Sequence, residues 1–468
     1  MSRISRRFFL KQSLCLMTIP YANILATPFA SEDKKLQLKT ITIDEVNSTF
    51  EREPLARPFM FKGGALSELW QTVSYIKSTT GNHAIGLATQ SVLWSDASVF
   101  SSYSESGGNA FMYALTEKAL QLLKGQSYTN PIDILIKILP EVTEYGKTIT
   151  ANPNLRQTFV LNSLVSVDNA LWLLYAKENN LTSFDEFIPE ACKPALAYKH
   201  DKVASISLIS YDTPKPEIIK IVEGGCFILK IKIGQSGTQS EMLEKDKARM
   251  AELHSLLKNY TTSHTKNKKL IYYLDANGRY QSKETFMQFV EYTKKIGAFD
   301  QILMIEEPFP EEMEINVSDI PVRIVADESA HTDTDVMHRI KLGYKAIALK
   351  PIAKTLSMSM LIAQKAAEHN IPCFCADLTV NPILVEWNKI VAARLKSFPE
   401  INNMGLVESN GSLNYKEWDK LMSYHPYKEA SWVTPHDGVY DLDKQYYALN
   451  GGILKEIPHY ENLFKKPE

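Results

Sequence analysis

From about residue 200 onward, short apolar runs alternate with segments of helical periodicity. Eight runs follow one another, beginning with KVASISLIS and CFILKIKIG and ending with PCFCADL and NMGLVESNG. Helical patterns such as EMLEKDKARMAELHSLLK separate most of them, although the segment after the fourth run, QILMIEEPF, is short and weakly helical. This alternation is typical of parallel strands, and eight strands is the count of a closed barrel. It predicts an α/β fold with a (β/α)8 TIM-type barrel over residues 201–410. An open doubly wound sheet is the alternative, but no glycine-rich phosphate loop follows the first run.

The segments on either side of the barrel lack this alternation. In residues 36–200, the strand-like stretches LQLKTITI, RPFMFKG and HAIGLATQSVLW precede helical stretches around 109–124, 131–145 and 155–180. This order predicts an N-terminal α+β capping domain. Residues 411–468 show no clear period, and we expect them to wrap back over both domains.

The N-terminus has the composition of an export signal. SRRFFLK, with paired Arg6 and Arg7, precedes the apolar LCLMTIPYANILA, which is too short to span a bilayer, and small residues follow near Ala26 and Ala30. Residues 1–30 are therefore predicted to be a cleavable twin-arginine signal. An ordinary basic N-terminus or a membrane anchor is the alternative. The signal predicts a periplasmic protein with no membrane span once it is removed.

Composition narrows the class of partner. The formal net charge is −2 and no basic cluster occurs in the body of the chain, which argues against nucleic acid. Five cysteines among 468 residues do not form a disulfide scaffold. We expect a small-molecule substrate and a homo-oligomeric assembly.

Acidic residues stand at the ends of three consecutive predicted strands. The third run ends in Asp275, the fourth in Glu306 and Glu307, and the fifth in Asp327 and Glu328. Catalytic groups of such barrels lie at the C-terminal ends of the strands, so these side chains are expected to converge. Carboxylates without nearby histidine or cysteine suit Mg²⁺, with Mn²⁺ also possible. Each acid alone could instead cap a helix or lie solvated in a loop.

Lysines flank these acids. Lys230 and Lys232 lie two residues apart on the second predicted strand, hence on one face, and Lys350 ends the sixth. A neighbouring ammonium, a metal ion and partial burial all lower the pKa of a lysine, so the pair predicts one lysine able to act as a base. Alternatively, the lysines only neutralise the carboxylates.

The ordered set of motifs resembles the enolase superfamily. It consists of KIK on the second strand, Asp275 in LDAN, Glu306 in IEEP, Asp327 in ADES and Lys350 in LKP. The resemblance is stronger to the muconate-lactonizing and dipeptide-epimerase-like branch, within the mandelate racemase/muconate lactonizing enzyme family. SVDNALWLLYAKE is similar to the segment that leads into the barrel in that family.

The resemblance implies Mg-dependent abstraction of the proton α to a carboxylate through a metal-stabilised enolate. A racemase or epimerase of an amino-acid or dipeptide-like substrate is expected. A dehydratase or lyase, acid-sugar or succinylbenzoate-synthase-like, and a non-catalytic carboxylate-binding homologue are the alternatives. The resemblance implies that Asp275, Glu306 and Asp327 bind Mg²⁺, with Glu307 and Glu328 supporting these ligands. It implies that Lys232 is the base on one face of the substrate and that Lys350 is the acid or base on the other face. Lys230 would bind the substrate carboxylate and tune Lys232.

Substrate contacts are expected near the seventh and eighth strands and in the cap. Dipeptide epimerases carry an Asp-x-Asp pair near strand eight, where this chain has Glu408 and Asn410. Asp377 near strand seven is the candidate for a second charge. By analogy with the family, a loop around residues 91–100 is expected to cover the site.

Overall fold

The computed structural model describes residues 38–61, 64–376 and 379–465. The predicted export signal lies outside these residues.

An antiparallel sheet with helices packed against it forms the N-terminal part. The strand order is β3-β2-β1-β4. Its elements are β1 (Ile41–Phe61), β2 (Gly64–Ser78), β3 (His83–Gln90), α1 (Val92–Ser95), α2 (Ala97–Leu123), β4 (Ser127–Tyr128), α3 (Pro131–Ile149) and α4 (Gln157–Asn179). A short helix α5 (Phe184–Phe187) and a 3-10 turn (Glu190–Leu196) lead into the barrel.

Two features of this part differ from the sequence-based expectation. The whole of β2 was missed, because its buried positions do not alternate regularly with exposed ones. Residues 91–100 are not a loop but form α1 and the start of α2, where the Asp96 carboxylate caps α2 by accepting hydrogen bonds from the backbone of Ser98 and Val99.

Helix α4 is the buried centre of the cap. It is long and apolar enough to cross a membrane, but 94% of its most apolar window is buried inside the protein, as expected of a core helix. It lies so close to β3 that a Cβ on Gly86 would come within 1.9 Å of the Ser166 carbonyl oxygen. The cap sheet and α4 are therefore in direct backbone contact.

Eight parallel strands close into a barrel, as predicted. They pair in chain order, and the last strand closes the ring through the Glu408–Ile206 register with the first. The strands are β5 (Lys202–Ile209), β6 (Ile228–Lys232), β7 (Ile271–Asp275), β8 (Ile302–Glu306), β9 (Arg323–Ala326), β10 (Ala346–Leu349), β11 (Cys373–Cys375) and β12 (Gly405–Glu408). The outer helices are α6 (Lys215–Glu223), α7 (Gln239–Leu257), α8 (Lys283–Lys295), α9 (Asp333–Lys341), α10 (Leu356–Glu368) and α11 (Pro382–Ala392).

The barrel departs from an ideal (β/α)8 unit between β8 and β9. Residues 307–322 are all described and contain no helix. Pro308, Pro310 and Pro321 lie in this stretch, and proline lacks the backbone donor that a helix interior needs. The missing helix agrees with the weak helical signal in the sequence.

The C-terminal segment contacts both the barrel and the cap. It contains α12 (Gly411–Asn414), α13 (Trp418–Ser423), β13 (Val439–Asp441), α14 (Lys444–Leu449) and α15 (Pro458–Asn462). Strand β13 pairs antiparallel with β5 of the barrel. Farther on, the His459 ring lies 2.9 Å from the Glu51 carboxylate on β1 of the cap. The segment therefore bridges the two parts.

The contact at Gly86 predicts a large difference between two glycine substitutions. Gly86→Ala should lower the free energy of unfolding by about 2–4 kcal/mol, because the new methyl group meets the backbone of α4. The matched control, Gly107→Ala in α2, has only ordinary contacts at 3.4 Å and should change stability by less than about 1 kcal/mol. Urea unfolding of both variants measures the difference, and equal midpoints would contradict the close packing of β3 on α4.

Candidate active site

The register of three adjacent strands places their last residues side by side. Lys232 at the end of β6 is opposite Asp275 at the end of β7, and Asp275 is opposite Glu306 at the end of β8. Lys230 lies two residues earlier on the same face of β6. The side chains of these strand ends line one cavity at the mouth of the barrel.

Lys230 is buried among carboxylates. Its side chain is 5% exposed, and Nζ lies 3.1 Å from Asp275 Oδ2, 3.2 Å from Glu306 Oε1 and 3.2 Å from Glu408 Oε2. Burial would lower the pKa of Lys230, but the surrounding carboxylates outweigh it and hold the pKa well above its ordinary value. Lys230 is therefore a fixed cation, and its role as carboxylate anchor stays a prediction.

Lys232 is bonded to the end of the neighbouring strand. Its ammonium donates to Asp275 Oδ2 at 2.6 Å and to Asn277 Oδ1 at 2.7 Å. Burial would raise the pKa of Asp275, but Lys230 and Lys232 outweigh it and lower that pKa to about 2. Asp275 is therefore ionised.

A second pair of lysines surrounds Asp327. Lys350 Nζ lies 2.5 Å from Asp327 Oδ2, and Lys354 Nζ lies 3.2 Å from Asp327 Oδ1. Burial opposes ionisation of Asp327, but the ammonium groups of Lys350 and Lys354 hold its pKa far below the ordinary value. Burial is outweighed at Lys350 too, where Asp327 and Glu306 raise the pKa.

Lys354 was missed by the sequence reasoning. Its ammonium also donates to the backbone oxygens of Asp327 at 2.6 Å and Ala330 at 2.9 Å. Burial lowers the pKa of Lys354. Lys354 lies beyond the end of β10, and the sequence reasoning selected only residues at strand ends. Its position in the apolar stretch PIAKTLSM could have identified it.

Three carboxylates offer a compact set of oxygen ligands. One oxygen each from Glu306, Asp327 and Glu328 lies within 4.8 Å of the other two. Glu306 Oε2 and Glu328 Oε2 are buried and accept no hydrogen bond from the described residues. Unsatisfied buried carboxylate oxygens are the expected donor set of a hard divalent cation, so these residues fit Mg²⁺ or Mn²⁺.

This set differs in one residue from the set that the resemblance implied. Glu328 was expected to support the ligands but belongs to the compact group itself. Asn277 Nδ2 donates a hydrogen bond to Glu328 Oε1 at 2.9 Å. Asp275 lies instead against the two lysines of β6. Glu306 and Asp327 are common to both sets.

Glu307 holds the end of β9. It adopts a left-handed backbone conformation with φ of 38°, and its Oε1 accepts hydrogen bonds from the backbone of Asp327 at 2.7 Å and of Ser329 at 3.0 Å. Burial and the nearby Glu328 raise the pKa of Glu307 to about 7. A supporting role for Glu307 stays a prediction that these contacts favour.

Two of the expected substrate contacts line the cavity, and they bond to each other. Asn410 Nδ2 donates to Glu408 Oε1 at 3.0 Å, and Asn410 Oδ1 accepts from the backbone of Leu208 at 3.1 Å. Glu408 also binds Lys230. Asp377, the third expected contact, lies outside the described residues.

The cap closes the cavity with two aromatic side chains that sequence reasoning did not select. Phe59 from β1 and Trp94 from α1 line it, with ring centroids 5.5 Å apart at an interplanar angle of 83°. Trp94 belongs to the segment expected to cover the site. Asp96 in the same segment instead caps α2 and accepts a hydrogen bond from the backbone of Arg156.

The arrangement places ammonium groups on opposite sides of the carboxylates. Strands β6 and β10 are four places apart in the ring of eight, so Lys232 and Lys350 approach the cavity from opposite sides. Glu306, on β8, lies midway between them. The site can therefore hold an anionic ligand at its centre and exchange protons with it from two directions.

The acids predict how cation binding depends on pH. Burial, Asp327 and Glu328 raise the pKa of Glu306 to about 8 despite Lys230, so Glu306 is protonated at pH 7. A cation needs the ionised carboxylate, and binding at pH 7 should release about one proton. Between pH 4.5 and 8 the Glu306 carboxyl is protonated in the folded protein and ionised in the unfolded chain. In the absence of the cation, the contribution of Glu306 to the free energy of unfolding therefore decreases as the pH rises through this range.

Calorimetric Mg²⁺ titrations in buffers of different ionisation enthalpy measure that proton. Glu306→Gln should abolish the release, whereas Glu284→Gln on the exposed face of α8 should leave it unchanged. Equal proton release in wild type and Glu306→Gln would show that another group carries the proton.

No protein-family model and no curated protein matches the sequence. Solved structures match it over most of their length. A mandelate racemase/muconate lactonizing protein from Herpetosiphon aurantiacus is 13% identical, with a TM-score of 0.58 over 86% of this chain and 96% of that chain. A dipeptide epimerase from Enterococcus faecalis V583, complexed with Mg and the dipeptide L-Leu-L-Tyr, is 16% identical, with a TM-score of 0.56 over 80% and 92%.

A third similar structure is the L-Ala-D/L-Glu epimerase from Bacillus subtilis in a substrate-liganded complex. It is 16% identical, with a TM-score of 0.57 over 80% of this chain and 91% of that chain. The motif-based resemblance is thereby confirmed at the level of fold: the chain has the fold of the mandelate racemase/muconate lactonizing proteins and dipeptide epimerases of the enolase superfamily.

Proposed function

We propose that the protein is an enolase-superfamily enzyme that removes the proton α to a carboxylate and returns it on either face, a racemase or epimerase. The observation that carries this proposal is the opposed placement of Lys232 and Lys350 across a cluster of buried carboxylates. An enzyme that abstracts the proton from one face of its substrate needs only one of these lysines as a base. Two on opposite strands supply a base for each stereoisomer.

The side chains divide the work. Lys232 takes or returns the proton on one face, held in place by Asp275 and Asn277. Lys350 does so on the other face, held by Asp327. Lys230, a fixed cation, pairs with the substrate carboxylate.

The carboxylate cluster would hold Mg²⁺, with Mn²⁺ as a substitute. Glu306, Asp327 and Glu328 supply the compact oxygen set, and Asp275 joins them if its lysine partners turn to the substrate. When bound, the cation stabilises the negative charge that develops on the substrate carboxylate. A cation would also take over part of the carboxylate charge that now raises the pKa of Lys350, so that lysine would become a better base.

We propose an amino-acid or dipeptide-like substrate. Glu408 and Asn410 form a polar wall that suits the ammonium group of such a substrate, and Phe59 and Trp94 offer an apolar wall opposite a side chain. The Enterococcus faecalis structure of the same fold holds a dipeptide with Mg, which supports this class. A lyase would use the same lysines, and loss of a water from the product mass would identify it.

Proton exchange in D₂O tests the two-base proposal. Wild-type protein with Mg²⁺ should exchange the α-proton of both stereoisomers in an amino-acid and dipeptide library. Lys232→Ala and Lys350→Ala should each lose isomerisation by at least about 100-fold while keeping exchange on the face that the other lysine serves. Lys365→Ala, which removes a surface lysine paired with Glu368, is the matched control and should keep full activity.

Three results would contradict the proposal. Binding of carboxylates with no exchange in the wild type would favour a non-catalytic homologue. Dehydrated product without isomerisation would favour the lyase. Loss of exchange on both faces in each single variant would rule out independent bases.

We further propose that the protein is exported in folded form by the twin-arginine route, works in the periplasm without a membrane span, and assembles as a homo-oligomer. The paired Arg6 and Arg7 support export. Replacing both with lysine should retain the protein in the cytoplasm, whereas Arg3→Lys, the matched control, should not. Cell fractionation measures the location, and light scattering of the purified protein measures the assembly.

A further inference from the structure

A second cleft adjoins the active-site cavity on the side of Lys232. Phe59, Lys232 and Asn277 line both spaces, so the two spaces adjoin at Lys232. The ends of β5, β6 and β7 and the β1 strand of the cap form the remaining walls. The cleft is therefore next to the reaction site, with Lys232 in the wall of both.

Arg279 contributes a cation without a partner to this cleft. Its guanidinium makes no ion pair and donates no hydrogen bond within the residues that the structure describes. Its backbone is held, because its amide donates to Ala276 O at 3.1 Å and its carbonyl accepts from Gln239 Nε2 at 2.9 Å. A Cβ on Gly234 would lie 2.7 Å from Arg279 Cβ, so the base of the side chain packs closely on that glycine.

The acids around Arg279 do not neutralise it. Burial raises the pKa of Asp246, and Arg279 opposes this only in part. The Asp246 carboxylate already accepts hydrogen bonds from the Tyr280 hydroxyl at 2.7 Å and the Gly234 amide at 2.7 Å. Asp212 lines the cleft and forms no ion pair among the described residues.

A second guanidinium faces the same space. Among the described residues, Arg57 on β1 of the cap pairs with Glu217 alone, at 3.4 Å, and the side chains of Arg57 and Glu217 are 59% and 35% exposed. Exposed pairs of this length contribute little to stability, so Arg57 can exchange this partner for a ligand at small cost. The cleft thus combines two available guanidinium groups with one carboxylate.

We propose that this cleft is a subsite for a second carboxylate of the substrate, bound by Arg279 and assisted by Arg57. The inference rests on the proposed function, because it assumes that the reacting carboxylate lies at Lys230 and the acid cluster. A guanidinium presents paired donors that match the two oxygens of a carboxylate, which explains arginine at both positions. The preferred substrates are then acidic: the proton-exchanging carbon lies between one carboxylate at the metal ligands and another beyond Lys232.

A matched pair of ligands isolates the second charge. Glutarate and its half-amide, glutaramate, have the same length and differ only in whether the second group is anionic. Calorimetric titration of the full chain with Mg²⁺ should show tighter binding of glutarate, by about tenfold or more. Arg279→Gln should remove most of this preference, and Arg279→Lys should retain part of it because the charge stays and the paired donors are lost.

Controls and outcomes separate this inference from the reaction itself. Arg52→Gln removes an exposed guanidinium of the cap that pairs with Glu68, outside the cleft, and should leave the preference unchanged. Equal affinity of wild type for the two ligands, or an unchanged preference in Arg279→Gln with an intact fold by circular dichroism, would overturn the subsite. Because binding is measured without turnover, an Arg279-dependent preference together with absent α-proton exchange would overturn the proposed reaction and keep the subsite.

Discussion

The ammonium group of Lys230 makes the rest of the site possible. It lies within 3.2 Å of acidic side chains from β7, β8 and β12, whose ionised forms would otherwise repel one another in a buried space. Removing one partner from such a buried ionic cluster typically costs about 3–5 kcal/mol, because the remaining charges lose their compensation. The lysine on the apolar strand β6 thus allows acidic side chains from several strand ends to lie close together at the mouth of the barrel.

The lysines also determine which acids are ionised. Asp275 and Asp327 each contact two ammonium groups, and both have lowered pKa values. Glu306 shares only Lys230 with two other acids and has a raised pKa. Additional positive charge is therefore needed most at Glu306 and its neighbour Glu328, because the buried Oε2 atom of each has no hydrogen-bond partner among the described residues.

The barrel and its charged rim were predictable because both depend on local sequence. Apolar runs define the strands, and polar residues that end them must emerge at the C-terminal rim, which is why Asp275, Glu306 and Lys350 could be selected. Phe59, Trp94 and Lys354 reach the site from the cap or from beyond a strand end, so only tertiary packing brings them there. The contact of Lys230 with Glu408 likewise depends on the closure of the barrel, because the two residues lie on β6 and β12.

The pairing of β5 has a consequence for how the chain is made. As the first barrel strand, it bonds to β12 along Gly405–Glu408 and to β13 along Val439–Asp441, which are synthesised about two hundred residues later. During translation β5 can pair with β6 first, and its other edge stays unpaired until β12 and β13 have been made. The barrel can therefore close only after Glu408 has left the ribosome, so one edge of its first strand stays unpaired while the seven later strands are made.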